Sequence, residues 1–222
     1  MSGFEIEHVR LHAAAPVELG FAAIERHLRD RQRPLSALCA VELRSPRPLS
    51  IDGFAEFNRH YAERLRGWGL VQGDFNAVAR SNVAPDVHAP QETKVYGFSV
   101  AVPSSSGAST FVVAGSSEWP EGGRFPEDVV RFGDTSPDAI REKARYVLGA
   151  MERRMHSLGV TWSQATLIQS YSAYDVFDFL TEEVIPVAGT DAGVLVQYCR
   201  PPVVGWDYEM DIKGVNRSQL LR

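Results

Sequence analysis

Residues 103–109 read Pro-Ser-Ser-Ser-Gly-Ala-Ser, and the reading of this stretch decides the fold. Small polar residues around one glycine offer nothing to a core and mark a connector. It divides a 222-residue chain almost in half. Before it, the apolar pattern predicts a helix near 18–31, a strand at 37–43, a helix at 51–66, and strands at 76–84 and 93–101. After it come a strand at 110–115, a helix at 136–158, a strand at 164–171, a helix near 173–185, and strands at 193–199 and 204–213. Matching elements stand about 110–125 residues apart, which predicts a divergent internal duplication. The expected fold class is α+β. Two units, 1–103 (short at its start) and 104–222, each carry a mixed β-sheet covered by two helices. A single larger α+β domain is the alternative.

The helices carry the clearest local signals. Thr135 or Ser136 can cap 136–158, Pro137 suits its first turn and Gly159 its exit. Ile140, Ala144, Val147, Met151, Met155 and Leu158 recur on one face, which predicts one buried stripe. Behind Ser50, the second helix sets Phe54, Phe57, Tyr61 and Leu65 on one side. In 204–213, Trp206, Tyr208, Met210 and Ile212 alternate with Asp207, Glu209, Asp211 and Lys213. This is the period of a strand with one apolar and one polar face.

Charge and composition exclude several classes. There are 28 acidic against 23 basic residues, a net charge of −5, which argues against nucleic acid and anionic membranes as partners. No apolar run approaches the roughly 18 residues of a membrane span. The start, MSGFEIEHVRLH, lacks the basic and apolar regions of a signal peptide, so a cytoplasmic location is expected. Cys39 and Cys199, far apart in apolar contexts, read as reduced core thiols. His8 and His12 have no evident third ligand, so no metal is expected. Ser116 and Ser117 sit in no nucleophile elbow, and Gly189 and Gly193 form no phosphate loop, so no cofactor is expected. The four tryptophans read as core or interface.

Three stretches together resemble the RidA (YjgF-like) imine deaminase superfamily. "FVVAGSSEWP" (111–120) is similar to its strand and glycine turn. The helix 136–158 with Gly159-Val160-Thr161-Trp162 is similar to its helix and exit, and "PPVVGWDYEMDIKG" (201–214) to its closing acidic strand. In the first half, "DGFAEFNRHYAERL" (52–65) resembles the second helix, and "VARSNVAP" (78–85) the strand whose Ala-Arg-Ser holds a substrate carboxylate. The resemblance implies chorismate-mutase-like units, trimers with ligand sites between subunits, and a small carboxylate-bearing metabolite as ligand. It places Arg80 and Asn58 at binding positions in the first half, and Gly115 and Glu209 at the glycine turn and the glutamate in the second. Tyr96 stands where the first half should have its glutamate, and 190–193 (Thr-Asp-Ala-Gly) lacks an arginine. Neither half holds a full set.

The residues themselves suggest how such a site would work. An arginine fork meets a carboxylate with two parallel hydrogen bonds. Arg80 among small strand residues suits that task, with a buried or interfacial ion pair as the alternative. Asp207, Glu209 and Asp211 line one strand face about 7 Å apart, and like charges that close raise a pKa. Glu209, the middle one, is the expected proton-handling group, with a solvated strand face as the alternative. The function expected is metal-free hydrolytic deamination of a small enamine or imine acid, of the 2-aminoacrylate or 2-aminomuconate kind. A chorismatase-like hydrolase and a non-catalytic metabolite-binding protein are the other readings. Three-unit rings built from two-unit chains predict a homotrimer of about 74 kDa from a 24.6 kDa chain. That assembly would set Arg80 and Glu209 in different rings.

Overall fold

The computed structural model describes residues 3–73 and 75–222. The chain opens with strand β1 (Phe4–Pro16) and helix α1 (Val17–Asp30). Strand β2 (Leu38–Arg44) and helix α2 (Ile51–Gly67) follow. A small hairpin, β3 (Val71–Gln72) and β4 (Phe75–Asn76), leads into β5 (Ala79–Pro85) and β6 (Lys94–Pro103). After the 103–109 connector come β7 (Phe111–Ser117), α3 (Pro137–Ser157) and β8 (Leu167–Ser172). Helical turns Phe177–Phe179, Leu180–Val184 (a π turn) and Ile185–Ala188 form α4. Strands β9 (Gly193–Gln197), β10 (Cys199–Arg200), β11 (Tyr208–Gly214) and β12 (Arg217–Leu221) complete the chain.

One sheet has the order β10-β5-β2-β6-β1-β12, the other β7-β11-β8-β9. The four-strand order β5-β2-β6-β1 recurs as β9-β8-β11-β7. In both, the first pair is parallel and the next two pairs are antiparallel. Helices α1 and α2 bury Phe21, Ile24, Leu28, Tyr61 and Leu65 on the first sheet. Helices α3 and α4 bury Ile140, Val147, Met151 and Val184 on the second. Ser50 and Ser136 cap α2 and α3 by accepting from the backbone of Gly53 and Ala139, which satisfies N–H groups the helix leaves free. Leu158, expected on the buried stripe, is exposed because it is the residue that ends α3.

Two strands of the first sheet, β1 and β12, have no counterpart in the sequence reading. In β1, Glu5, His8 and Glu7 are buried beside Val9 and Leu11, so its charged letters conceal a core strand. At the other end, β12 runs parallel to β1 at the edge of the first sheet. With β10 on β5, the second half of the chain thus supplies two strands to the first sheet. A five-residue edge strand with alternate exposure leaves little pattern to read.

The two sheets meet through a buried polar layer. His8 Nε2 lies 2.8 Å from Glu42, and Glu42 lies 3.3 Å from Lys213, which bonds Asp211 at 2.6 Å. Tyr171 and Ser81 donate to Asp211, and Gln169 donates to both Glu42 and Asp211. Burial opposes the Glu42 charge, but Lys213, His8 and Arg44 hold its carboxyl well below the usual range. Every charge in this layer has a partner, as burial demands. The polar face of β11 is therefore not solvated: Asp207, Glu209, Asp211 and Lys213 are all at least nine-tenths buried.

Candidate active site

Arg80 stands on β5 facing α2. Its Nη2 donates to Asn58 Oδ1 at 2.6 Å. Its guanidinium carbon lies 4.9 Å from the Tyr61 ring centre, 5.5 Å from Phe54 and 5.6 Å from Phe57. The apolar stripe of α2 thus divides its labour. Leu65 and Tyr61 enter the core, while Phe54, Phe57 and Tyr61 cage the cation. Cation–π contact and a single neutral hydrogen bond fix the group without neutralising it. Among the described residues, no carboxylate lies within 4 Å of it. Burial presses its pKa down, opposed by Tyr61 and Glu209. The described residues of one chain thus give Arg80 no ion pair and one side-chain hydrogen bond, to Asn58.

Glu209 arrives from the other sheet. Its Oε2 accepts from Ser117 Oγ at 3.3 Å. Burial first, then Asp211, push its carboxyl up to about 8, against opposing pulls from Arg80, Ser117 and Arg44. At neutral pH it carries its proton and is an acid, not a carboxylate. Gly115 makes this placement possible. It lies inside β7 rather than in a turn, and a Cβ there would stand 2.2 Å from Glu209 Oε1 and 3.3 Å from the Ser81 Cα. The need for glycine is one of space.

The pairing of β7 with β11 slips beside this glycine. Met210 pairs with Ser116 and Ile212 with Val113, so Ala114 and Gly115 together oppose Asp211. Such a bulge bends a strand and redirects its side chains. Arg154 of α3 holds it, donating to the carbonyls of Ala114 at 3.0 Å and Gly115 at 3.2 Å. The start of β11 is also pinned. Glu118 accepts from the backbone N–H of Asp207 at 2.6 Å and of Tyr208 at 3.2 Å. Lys143, fully buried, bonds Asp207 and lies 3.8 Å from Glu118.

A cavity of about 290 Å³ opens where the sheets meet, lined by Arg80, Gly115, Ser117 and Glu209 together with Asn82, Phe54, Trp119, Trp206, Glu121 and Arg154. Three of its lining residues hold buried donors with no partner among the described residues: Asn82 Nδ2, Trp119 Nε1 and Trp206 Nε1. Unpaired buried donors are costly, and the residues that carry them stand around a space of small-ligand size.

Arg80, Gly115 and Glu209, singled out from the sequence, line this one cavity within a single chain. Asn58 does not line it but orients Arg80. The expectation that Arg80 and Glu209 stand in different rings is overturned, because both line one cavity of one chain. Sequence reading missed Asn82, Trp119, Trp206 and Arg154. Asn82 was discoverable, since it stands two residues from Arg80 and strand alternation puts both on one face. Tyr96, in place of a glutamate, stacks under Arg44 at 4.0 Å, away from this cavity.

A family model described as 2-aminomuconate deaminase CnbZ matches residues 1–219. The 2-amino-5-chloromuconate deaminase of Comamonas testosteroni is 39% identical over 223 residues, covering 99% of this chain and 88% of that protein. A crystal structure of chorismatase aligns with 97% of this chain and 76% of its own, at TM-score 0.55 and 12% identity, a likeness of fold. The YjgF gene product of E. coli aligns with 50% of this chain and 83% of its own, at TM-score 0.34 and 18% identity.

Proposed function

The chain belongs to the 2-aminomuconate deaminase CnbZ family, and from that premise we propose that it hydrolyses the C–N bond of a 2-aminomuconate-type enamine acid without a metal ion. The observation that carries the reading is the meeting of Arg80 and Glu209 at one cavity. Arg80, caged and oriented by Asn58, presents its free N–H groups to a substrate carboxylate. Glu209, protonated at neutral pH, gives its proton to the enamine carbon and leaves an iminium. The resulting carboxylate then takes a proton from water as the oxygen bonds to C2. Glu209 gives that proton to the amino nitrogen and retakes the hydroxyl proton as the C–N bond breaks, so ammonia leaves with the bond's electron pair and a 2-oxo acid remains. Gly115 holds the Glu209 carboxyl close to β7 by leaving room for it. A pKa near 8 suits a group that must give and retake one proton near neutrality.

The recurring strand order supports an origin by duplication of a RidA-like unit, and the assembly proposed with it is a homotrimer. The test of function is ammonia release from 2-aminomuconate, with 2-aminoacrylate as a shorter comparison. The parent should turn over the first. Arg80→Ala should lose roughly a hundredfold or more in kcat/KM, and Arg80→Lys should recover only part, because a point charge replaces a fork. Parent-like turnover by both variants, or none by the parent, would sink the reading.

A further inference from the structure

The cavity holds a second guanidinium that the reading above does not use. Arg154 reaches it from α3, on the Gly115 side of Glu209. Its Nη1 is committed to the carbonyls of Ala114 and Gly115. Its Nη2 donates to Glu121 Oε1 at 2.7 Å. The two partners differ in kind. The carbonyls belong to the strand, whereas the Glu121 side chain is 88% exposed. An exposed ion pair of that sort is weak, so a ligand carboxylate can take the place of Glu121 at little cost.

Arg80 and Arg154 come from different elements, β5 and α3, and Glu209 packs on Gly115, whose carbonyl Arg154 holds. Asn82, Trp119 and Trp206 line the same space. Two cations beside one acid describe a receptor for a ligand charged at more than one point. A monocarboxylate would leave one cation unmatched.

We propose that Arg154 is a specificity-determining residue: it receives the second carboxylate of a dicarboxylic substrate, which displaces Glu121. The proposal rests on the muconate-deaminase reading and adds to it the residue that reads the far end. Glu121 is then an internal competitor, and its exchange for the substrate sets selectivity by charge and reach.

Binding of two probes by isothermal calorimetry tests this. cis,cis-Muconate carries two carboxylates, and sorbate has a similar six-carbon diene skeleton with one. The parent should prefer muconate by roughly tenfold or more, the scale of a charge-assisted hydrogen-bond pair. Glu121→Gln should tighten muconate about fivefold, the scale of the exposed pair it removes, and leave sorbate unchanged. Arg154→Gln should abolish the preference. Retained preference in Arg154→Gln, an equal gain for both probes in Glu121→Gln, or no preference in the parent would overturn the proposal. Should loss of the bulge contacts unfold Arg154→Gln, the Glu121→Gln result decides alone. Turnover of 2-aminomuconate without dicarboxylate preference would remove this inference and leave the deaminase reading. Preference without turnover would do the reverse.

Discussion

Glu209→Gln keeps the shape of the side chain and removes its titration, and the structure sets the size of the effect. Burial and Asp211 raise the folded-state carboxyl from 4.5 to about 8. Between those values the folded chain holds a proton that the unfolded chain has released, so stability falls as pH rises. At about 1.4 kcal/mol per unit, the full cost approaches about 5 kcal/mol above pH 8, with about 3 kcal/mol of it accruing between pH 6 and pH 9. Glutamine bears none of this cost. Urea denaturation of parent and variant across that range should show the variant gaining about 3 kcal/mol on the parent toward pH 9. Taking the difference cancels other groups, including Glu118, which burial raises to about 7. The same titration governs activity. The parent kcat/KM should decline above about pH 8 as the acid is lost, and the variant should fall roughly a hundredfold or more below it at pH 7. A stability difference that stays flat with pH would refute the protonated Glu209, and full activity in the variant would refute its role.

Gly115→Ala puts a methyl group where Glu209 Oε1 stands; activity should drop roughly a hundredfold, the scale of an ångström-level misplacement, and parent-like activity would show that the close approach is unimportant. Lys143→Met leaves Asp207 and Glu118 buried without their cation; the expected loss is about 3–5 kcal/mol by urea denaturation, and a loss under about 1 kcal/mol would show that the pair does not hold the start of β11. Leu195, Val196 and Tyr198 are exposed on and just beyond edge strand β9, a surface that invites association; light scattering should give a homotrimer near 74 kDa, and a 24.6 kDa monomer would break that assembly.

The sequence made the helices and most strands legible because their apolar spacing is regular. It made Arg80 legible because a cation within small strand residues stands out. What it concealed has physical causes. The polar face of β11 resembles a solvated face letter for letter, since only the partner sheet turns Asp211 and Lys213 into a buried pair. Glu5 and Glu7 disguise β1 for the same reason. The family resemblance set Gly115 in a turn, whereas it lies inside β7 and leaves space for a side chain from another strand. Trp206 looked like core, and it is buried, yet its indole N–H finds no partner among the described residues. Long-range pairing decides each of these cases, and no local window of sequence contains it.

The meeting of the sheets also accounts for the divided residue set. The sheets approach at two places, one where β5 packs against β7, the other at a cavity lined from β9, β1 and β6. At the first stand Arg80, Gly115 and Glu209. At the second a cavity is lined by Leu195, His8, Arg10 and Tyr96, with leucine on the strand that corresponds to that of Arg80. On the proposed function, one half needs to supply only the anion-binding strand and the other only the acid and its glycine. Each half then looks deficient by itself because the seam, rather than the half, is the unit in which the residues would act together.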